Sequence, residues 1–462
     1  MTDINKILAQ VDSNLPASLD RLFDFVRIPS ISTSPDTADD VRKAAEWACA
    51  ELASLGFDAS VRETTGLPMV VAHLNNPAAT KRVLFYGHVD VQPVDPLALW
   101  DTDPFDPQIV TRDDGSKKIA GRGTADDKGQ LMTFVEACRA WLETEGEIPL
   151  NLTVLLEGEE ETGSPSMNGF LEANKAELQA DIGLVCDTGM WDAETPAITV
   201  MLRGLASMEV TLKAASRDLH SGLYGSAAAN PLHIMARIVA DLRDDNGSIT
   251  LPGFYDGVED PPAETKAQWD ALDFDGAKFL GDVGLAVPAG EKDRTLLEQI
   301  WSRPTCEING FNGGYAGDGT KTVIPAEANV KFTFRLVAGQ DPEKILHSLK
   351  EFVEARIPAD CQADIQLHGG APAIKLPHDR AEVAAAAEAL SAEWQTPCVL
   401  VGGGGSIPIV GAFQSILGLD SILAGFSLED DRLHSPNEKY ELTSFHKGTR
   451  SWVRIIDAVS KS

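Results

Sequence analysis

Apolar positions in the first fifty residues recur at helical spacing, with Ile7, Leu8, Val11 and Leu15 on one stripe. Short apolar runs follow: MVVAHL at 69–74, RVLFYGHVDV from 82, NLTVLLEG at 151–158 and DIGLVCD at 181–187. A helical stretch from Lys128 to Thr144 separates the second run from the third. Strand-like runs alternating with helices predict an α/β domain around a largely parallel sheet covered on its faces. Such sheets gather ligands at the carboxyl ends of their strands. Three of these runs end in side chains capable of chemistry: His88 with Asp90, Glu160 with Glu161, and Asp187.

Beyond about residue 200 the pattern changes. LASMEVTLKAAS alternates like a strand, ANPLHIMARIVADLRDD is an amphipathic helix, and NVKFTFRLV, DPEKILHSLKEFVEARI and CQADIQLHG read as strand, helix and strand. That order predicts a smaller α+β domain of ferredoxin-like type over 203–372, inserted into the first domain. The first domain then covers 1–202 and 373–462, ending in the helical patterns AEVAAAAEALSAEW and SWVRIIDAV. The run GGGG at 402–405 reads as a buried glycine turn before Ser406, because apolar segments flank it.

The chain has 462 residues, 43% hydrophobic and 24% charged, as in ordinary globular proteins. Its formal net charge is −31. A surface that acidic repels phosphate backbones and anionic lipid, so neither nucleic acid nor a membrane surface is expected as a partner. No apolar run is long enough for a transmembrane helix, and the amino terminus lacks a signal-peptide core. Six scattered cysteines without a CxxC pair predict free thiols in a reducing compartment. The expectation is a cytoplasmic protein.

Each candidate for chemistry has a plain structural alternative. His88 sits in GHVD, where Asp90, two residues on, shares its strand face and could orient a ring nitrogen, as carboxylates do behind metal-bound histidines. A surface histidine near a turn is the other reading. GRGTADDKGQ places Asp126 and Asp127 at a helix start, where capping alone would explain them. LEGEEETGS crowds Glu157, Glu159, Glu160 and Glu161 at a strand end; repelling carboxylates need a cation or raised pKa values unless the loop is simply solvated. CDTG supplies Asp187, and HSPNE supplies His434. Together, two histidines and at least three carboxylates suit zinc, manganese or cobalt, and one bridging carboxylate can hold two ions. HExxH, GxSxG, GxxxxGK[ST] and GxGxxG at a strand–helix join are all absent, and GYAGDGTK at 314–321 has the wrong spacing for a phosphate loop.

The stretches YGHVDVQP, WDTDPF, GRGTADDKG, EGEEETGS, RDLHSGLYG, GTKTVIP, FRLVAGQDP, GGGSIP and HSPNEK follow one another from about residue 83 to 439. In that order the chain resembles the M20 metallopeptidases, above all their cytosolic, carnosinase-like dipeptidase branch. The resemblance implies two divalent ions per subunit, zinc first, with manganese or cobalt as alternatives. His88, Asp126 and Asp187 would hold one ion, and Asp126, Glu161 and His434 the other. Glu160 would be the general base and Asp90 the orienting neighbour of His88. The implied reaction is hydrolysis of the peptide bond of small free peptides, chiefly dipeptides, by a bridging hydroxide activated by the two ions.

The resemblance also implies a homodimer formed through the inserted domain, with His220 reaching the partner's site. Thr322, Arg335 and Ser406 would join His220 as substrate contacts, and a forked guanidinium such as that of Arg335 suits a terminal carboxylate. His73, His233, His347, His368, His378 and His446 match no motif and are read as structural. Sister branches of the family leave an amidohydrolase acting on N-acyl or N-carbamoyl amino acids as an alternative. A metal-bound binding protein without turnover is a remoter one.

Overall fold

The computed structural model describes residues 3–377, 379–405 and 407–462, so His378 and Ser406 lie outside the described residues. The chain divides into two compact units. Met1–Val200, Leu376–Val401 and Pro408–Ser462 form the first; Met201–Lys375 and Gly402–Ile407 form the second.

The first unit is built on a mixed sheet. Its strands run in the order Asp58–Arg62, Met69–Leu74, Asn151–Glu157, Arg82–His88, Ile182–Val185, Ser421–Leu423 and Ala197–Leu202. The four inner strands, from Asn151–Glu157 to Ser421–Leu423, are parallel to one another. The parallel character read from the apolar runs therefore holds at the centre. It gives way at both flanks, where Asp58–Arg62, Met69–Leu74 and Ala197–Leu202 pair antiparallel. A six-residue connection between the first two strands is too short for a parallel crossover, which needs a dozen or more residues.

Helices Ile4–Val26, Lys128–Glu145, Ala381–Trp394 and Leu442–Lys461 pack side by side. In the last, Phe445, Gly448, Trp452, Ile455 and Val459 recur every three or four residues and are buried, giving it one apolar face. From that face Trp452 meets Phe85 of the sheet edge-on at 5.7 Å, and Phe134 of Lys128–Glu145 stacks on the same ring with centroids 3.7 Å apart. The inner strands are buried from end to end, Arg82 and Asn151 excepted, so their carboxyl ends are fixed points.

The second unit has four antiparallel strands in the order Thr305–Gly313, Glu327–Leu336, Gly204–Lys213 and Gln362–Ala371. With helices Pro231–Asp241 and Pro342–Glu354 the chain order is strand, helix, strand, strand, helix, strand, a ferredoxin-like arrangement. Ala206, Met208, Val210 and Leu212 alternate on one strand with half-buried residues, and Val330, Phe332, Phe334 and Leu336 do so on the next. Against them the helix Pro342–Glu354 buries Ile345, Leu346, Leu349, Phe352 and Val353, and Asp341 caps it by accepting from the Glu343 and Lys344 amides. Three short helices, Ala263–Asp270, Gly276–Gly281 and Leu296–Trp301, lie in a stretch for which the sequence pattern gave no element.

Among the described residues no helix is long and apolar enough to cross a membrane. All six cysteines are free; Cys49 and Cys398 are only half-buried. The glycine run is not buried throughout, since Gly402 is inside but Gly405 is exposed.

Candidate active site

His88 is the last residue of Arg82–His88 and is fully buried. Its Nδ1 lies 3.0 Å from the carbonyl oxygen of Asp90, which fixes the proton on Nδ1 and turns Nε2 toward Asp126 Oδ1 at 3.1 Å. Gly87 is the close-approach position of this strand end. A Cβ there would stand 2.8 Å from Asp127 Oδ2, the atom that accepts from the His88 amide at 3.1 Å.

The Asp90 carboxylate does something the sequence did not show. It lies 3.4 Å from His88 Nδ1, but it accepts from the amides of Glu160 (3.2 Å) and Glu161 (3.0 Å) and from Ser32 Oγ (2.6 Å). Asp90 thus anchors the short turn Glu160–Thr162 that carries the two glutamates. Asp127 occupies the N-cap position of Lys128–Glu145 without capping it; its carboxylate is turned inward to the His88 amide and to Cys186 Sγ at 3.3 Å.

Asp126 stands between the two histidines. One oxygen faces His88 and the other lies 3.0 Å from His434 Nε2, which is itself 3.4 Å from Glu161 Oε2. His434 has a left-handed backbone (φ 59°), an arrangement that costs a non-glycine residue about 1–2 kcal/mol. Two donor sets result, His88 with Asp126 and Asp187, and Asp126 with Glu161 and His434. In each set one ligand atom per residue lies within 4.8 Å of the others.

The electrostatics fit cations. Burial, with the charges of Asp187, Glu161 and Asp90 nearby, pushes the Glu160 carboxyl up to about 9. Burial and Asp126 push Glu161 to about 8, and burial with Asp126 and Asp90 pushes Asp187 to about 6. Burial alone would lower His88, but its bonds to Asp126 and Asp90 more than offset that and hold it well above the usual histidine range. The bond to Asp126 raises His434 to about 9. Glu161 Oε1 is buried and has no hydrogen-bond partner. A buried acceptor left unmet, among carboxylates that resist ionising together, is what a pair of divalent ions would satisfy. Two histidines and three carboxylates offer the nitrogen and oxygen donors that zinc, manganese or cobalt accept.

His220, Thr322 and Arg335 lie in the second unit. His220 and Thr322 are neighbours there: Leu219–His220 pairs with Val323–Ile324, and the Ser221 amide donates to the Thr322 carbonyl at 3.0 Å. The His220 ring is exposed, and its Nδ1 accepts from the Gly222 amide at 3.0 Å, which leaves Nε2 as the outward nitrogen. Arg335 is half-buried on the sheet face opposite the helices. Ser406 lies outside the described residues. Of the remaining histidines, His73 pairs with Glu177 (3.0 Å), His347 with Glu351 (3.2 Å) and His446 with Asp12 (2.8 Å).

Sequence reasoning missed several contributors. Gln92 donates to Glu161 Oε2 at 2.7 Å and sits inside the YGHVDVQP stretch. Glu438 closes the HSPNE motif, yet nothing in the motif shows that its carboxylate is wholly buried and accepts from the Asp126 amide.

The profile of peptidase family M20/M25/M40 matches residues 84–458. The Cys-Gly metallodipeptidase of Schizosaccharomyces pombe is 30% identical over 469 residues, covering 98% of each chain. Human Beta-Ala-His dipeptidase is 29% identical over 389 residues, 83% of this chain and 76% of that one. The crystal structure of an M20 family metallo-carboxypeptidase from Sulfolobus solfataricus superposes with a TM-score of 0.83 at 30% identity, covering 96% of this chain and 99% of the other. With a family match over most of its length and relatives aligned from end to end, the chain belongs to peptidase family M20/M25/M40.

Proposed function

We propose that this protein is a dipeptidase that hydrolyses small free peptides at a centre of two divalent ions, zinc first, with manganese or cobalt as alternatives. The observation that carries the reading is the pair of three-residue donor sets sharing Asp126, with Glu160 on the same turn as Glu161. Its relatives include enzymes named as Cys-Gly and Beta-Ala-His dipeptidases, which supports dipeptides as the substrate class.

In this reading His88, Asp126 and Asp187 would hold one ion, and Asp126, Glu161 and His434 the other. Bound there, the ions would supply Lewis acidity for the scissile carbonyl and acidify water. Glu160 is the proton carrier: its oxygen takes a proton from the attacking water and delivers it to the leaving amine. Asp90 holds the backbone of that turn, so Glu160 is positioned through two amide hydrogen bonds. Substrate contacts fall to His220, Thr322, Arg335 and Ser406. The outward Nε2 of His220 is oriented to donate to a developing oxyanion, and the forked guanidinium of Arg335 suits a substrate carboxylate. The protein acts as a cytoplasmic homodimer; six free cysteines support a reducing compartment.

The test is a substrate panel offered to metal-stripped protein and again after zinc or manganese is restored. It holds free dipeptides, a β-alanyl dipeptide, N-acyl amino acids and an N-carbamoyl amino acid. Dipeptide cleavage that returns with metal is expected. Cleavage confined to the acylated or carbamoylated compounds would move the protein to an amidohydrolase branch, and no cleavage with metal bound would favour a binding protein.

A further inference from the structure

The metal-binding candidates arrive on separate segments: His88 at a strand end, Asp126 in a turn before a helix, and His434 in a loop far along the chain. Two buried side chains of opposite charge, Arg122 and Glu438, tie these segments together. The Glu438 carboxylate is wholly buried and takes four donors. One oxygen accepts from Arg122 Nη1 at 2.6 Å and the Gly123 amide at 3.0 Å; the other accepts from the amides of Ala125 at 2.9 Å and Asp126 at 3.2 Å. Arg122, only 1% exposed, uses Nη2 to reach the carbonyls of Pro93 (3.0 Å) and Ser435 (3.3 Å). Pro93 follows the His88–Asp90 strand end, and Ser435 follows His434. The Glu438 carbonyl also accepts from the Gly121 amide at 3.1 Å.

We infer that the Arg122–Glu438 pair is the positioning device of the two-ion centre, setting Asp126 and His434 in place relative to His88. The inference rests on the reading of those residues as metal ligands. An ion pair buried for stability alone has little to recommend it, because well-packed apolar residues of similar volume often serve as well or better. This pair directs its hydrogen bonds at the backbones of three ligand-bearing segments. Neither side chain is a ligand itself. Partners of this kind, one bond removed from the ligands, change metal affinity about ten- to a hundredfold when mutated.

The test measures metal affinity in the full-length protein, without reference to turnover. Metal-stripped wild type, E438Q and R122K are titrated with Co²⁺, following its visible absorption, and with Zn²⁺ against a competing chelator. Gln at 438 keeps the size but turns an amide group toward backbone N–H donors. Lys at 122 keeps the charge but loses the fork that reaches Pro93 and Ser435. The control is E136Q, which breaks the pair between half-buried Arg21 and buried Glu136 (2.6 Å) in the same unit and touches none of the three segments.

Both ions should bind about ten- to a hundredfold more weakly to E438Q and R122K, since Asp126 belongs to both donor sets. E136Q should lose thermal stability and keep wild-type affinity. Unchanged affinity in E438Q and R122K would overturn the inference, as would an equal loss in E136Q, which would mark a general effect of destabilisation. If E438Q does not fold, R122K decides by the same criteria. Failure of the wild type to bind metal would instead overturn the underlying metal assignment, a result the titration separates from the others.

Discussion

Glu160 and Glu161 are adjacent carboxylates on one short turn, and their surroundings divide the work between them. Glu161 has an oxygen 3.4 Å from His434 Nε2 and another that is buried and unmet, which supports the proposed ligand role. Glu160 belongs to neither donor set; burial and neighbouring acids raise it to about 9, and divalent charge beside it would lower that value toward the range in which a carboxylate takes and releases a proton. Glu160→Gln should therefore keep full metal content while kcat falls roughly a hundred- to ten-thousandfold. Metal analysis beside steady-state kinetics checks this, and retained turnover would remove Glu160 as the base. Arg335→Ala should cost free dipeptides far more kcat/KM than carboxyl-amidated ones, and equal losses would mean that Arg335 does not read the carboxylate.

Residues of this kind were legible because the chemistry stands at the ends of apolar runs. GHVD, EGEEETGS and CDTG each stand at the end of a strand that the hydrophobic pattern defines, the first two overlapping its last residues and the third following it. What binds the motifs to each other was not legible. Glu438 and Ala125 are 313 residues apart, and no local pattern reports a hydrogen bond across that distance. Asp90 was legible as a neighbour of His88, but its grip on the Glu160–Thr162 turn needed the fold.

At the scale of elements, parallel strands bring several acids to one end of the sheet, and the cost appears as held protons. Glu157 is raised to about 7 by burial, alongside Asp187, Glu161 and Glu160. Each binds its proton more tightly folded than unfolded, so the folded metal-free protein carries more protons and loses stability as pH rises. His434, raised to about 9 by Asp126, acts in the same direction: its contribution is present below the unfolded histidine value and disappears as pH climbs through the folded one. The Tm of metal-stripped protein should fall by several degrees from about pH 5 to about pH 9. Metal should restore more stability at the upper end, where fewer protons compete with it. Scanning calorimetry with and without Zn²⁺ checks both trends; a flat profile without metal would mean that the acids are not strained by one another.

The elements themselves were read unevenly. Helices with one apolar stripe, such as Pro342–Glu354 and Leu442–Lys461, declare themselves by period. The helix Ala263–Asp270 buries Trp269 alone, so it leaves no period to find. Exposed Val283, Leu285 and Val287 further blur the apolar signal in that stretch.

At the scale of the whole molecule, a net charge of −31 adds general self-repulsion to the local crowding of acids. Salt screens the first far more than the second. Matched ionic strength should therefore recover little of the stability that Zn²⁺ restores at high pH. The proposed homodimer makes a separate prediction. His220→Ala and Glu160→Gln subunits, each inactive alone, should regain activity when mixed and allowed to exchange, because one site in the mixed dimer then combines an intact His220 with an intact Glu160. Absence of rescue in verified mixed dimers would mean that each site is built within one chain.

The central claim is a two-ion hydrolytic centre, and titrating activity against metal tests it most directly. Metal-stripped protein receives Zn²⁺ or Mn²⁺ in fractional equivalents while hydrolysis of a free dipeptide is followed. The rate should be near zero at the start and reach its plateau at two equivalents per chain. A full rate in stripped protein, or a plateau at one equivalent, would contradict the two-ion account.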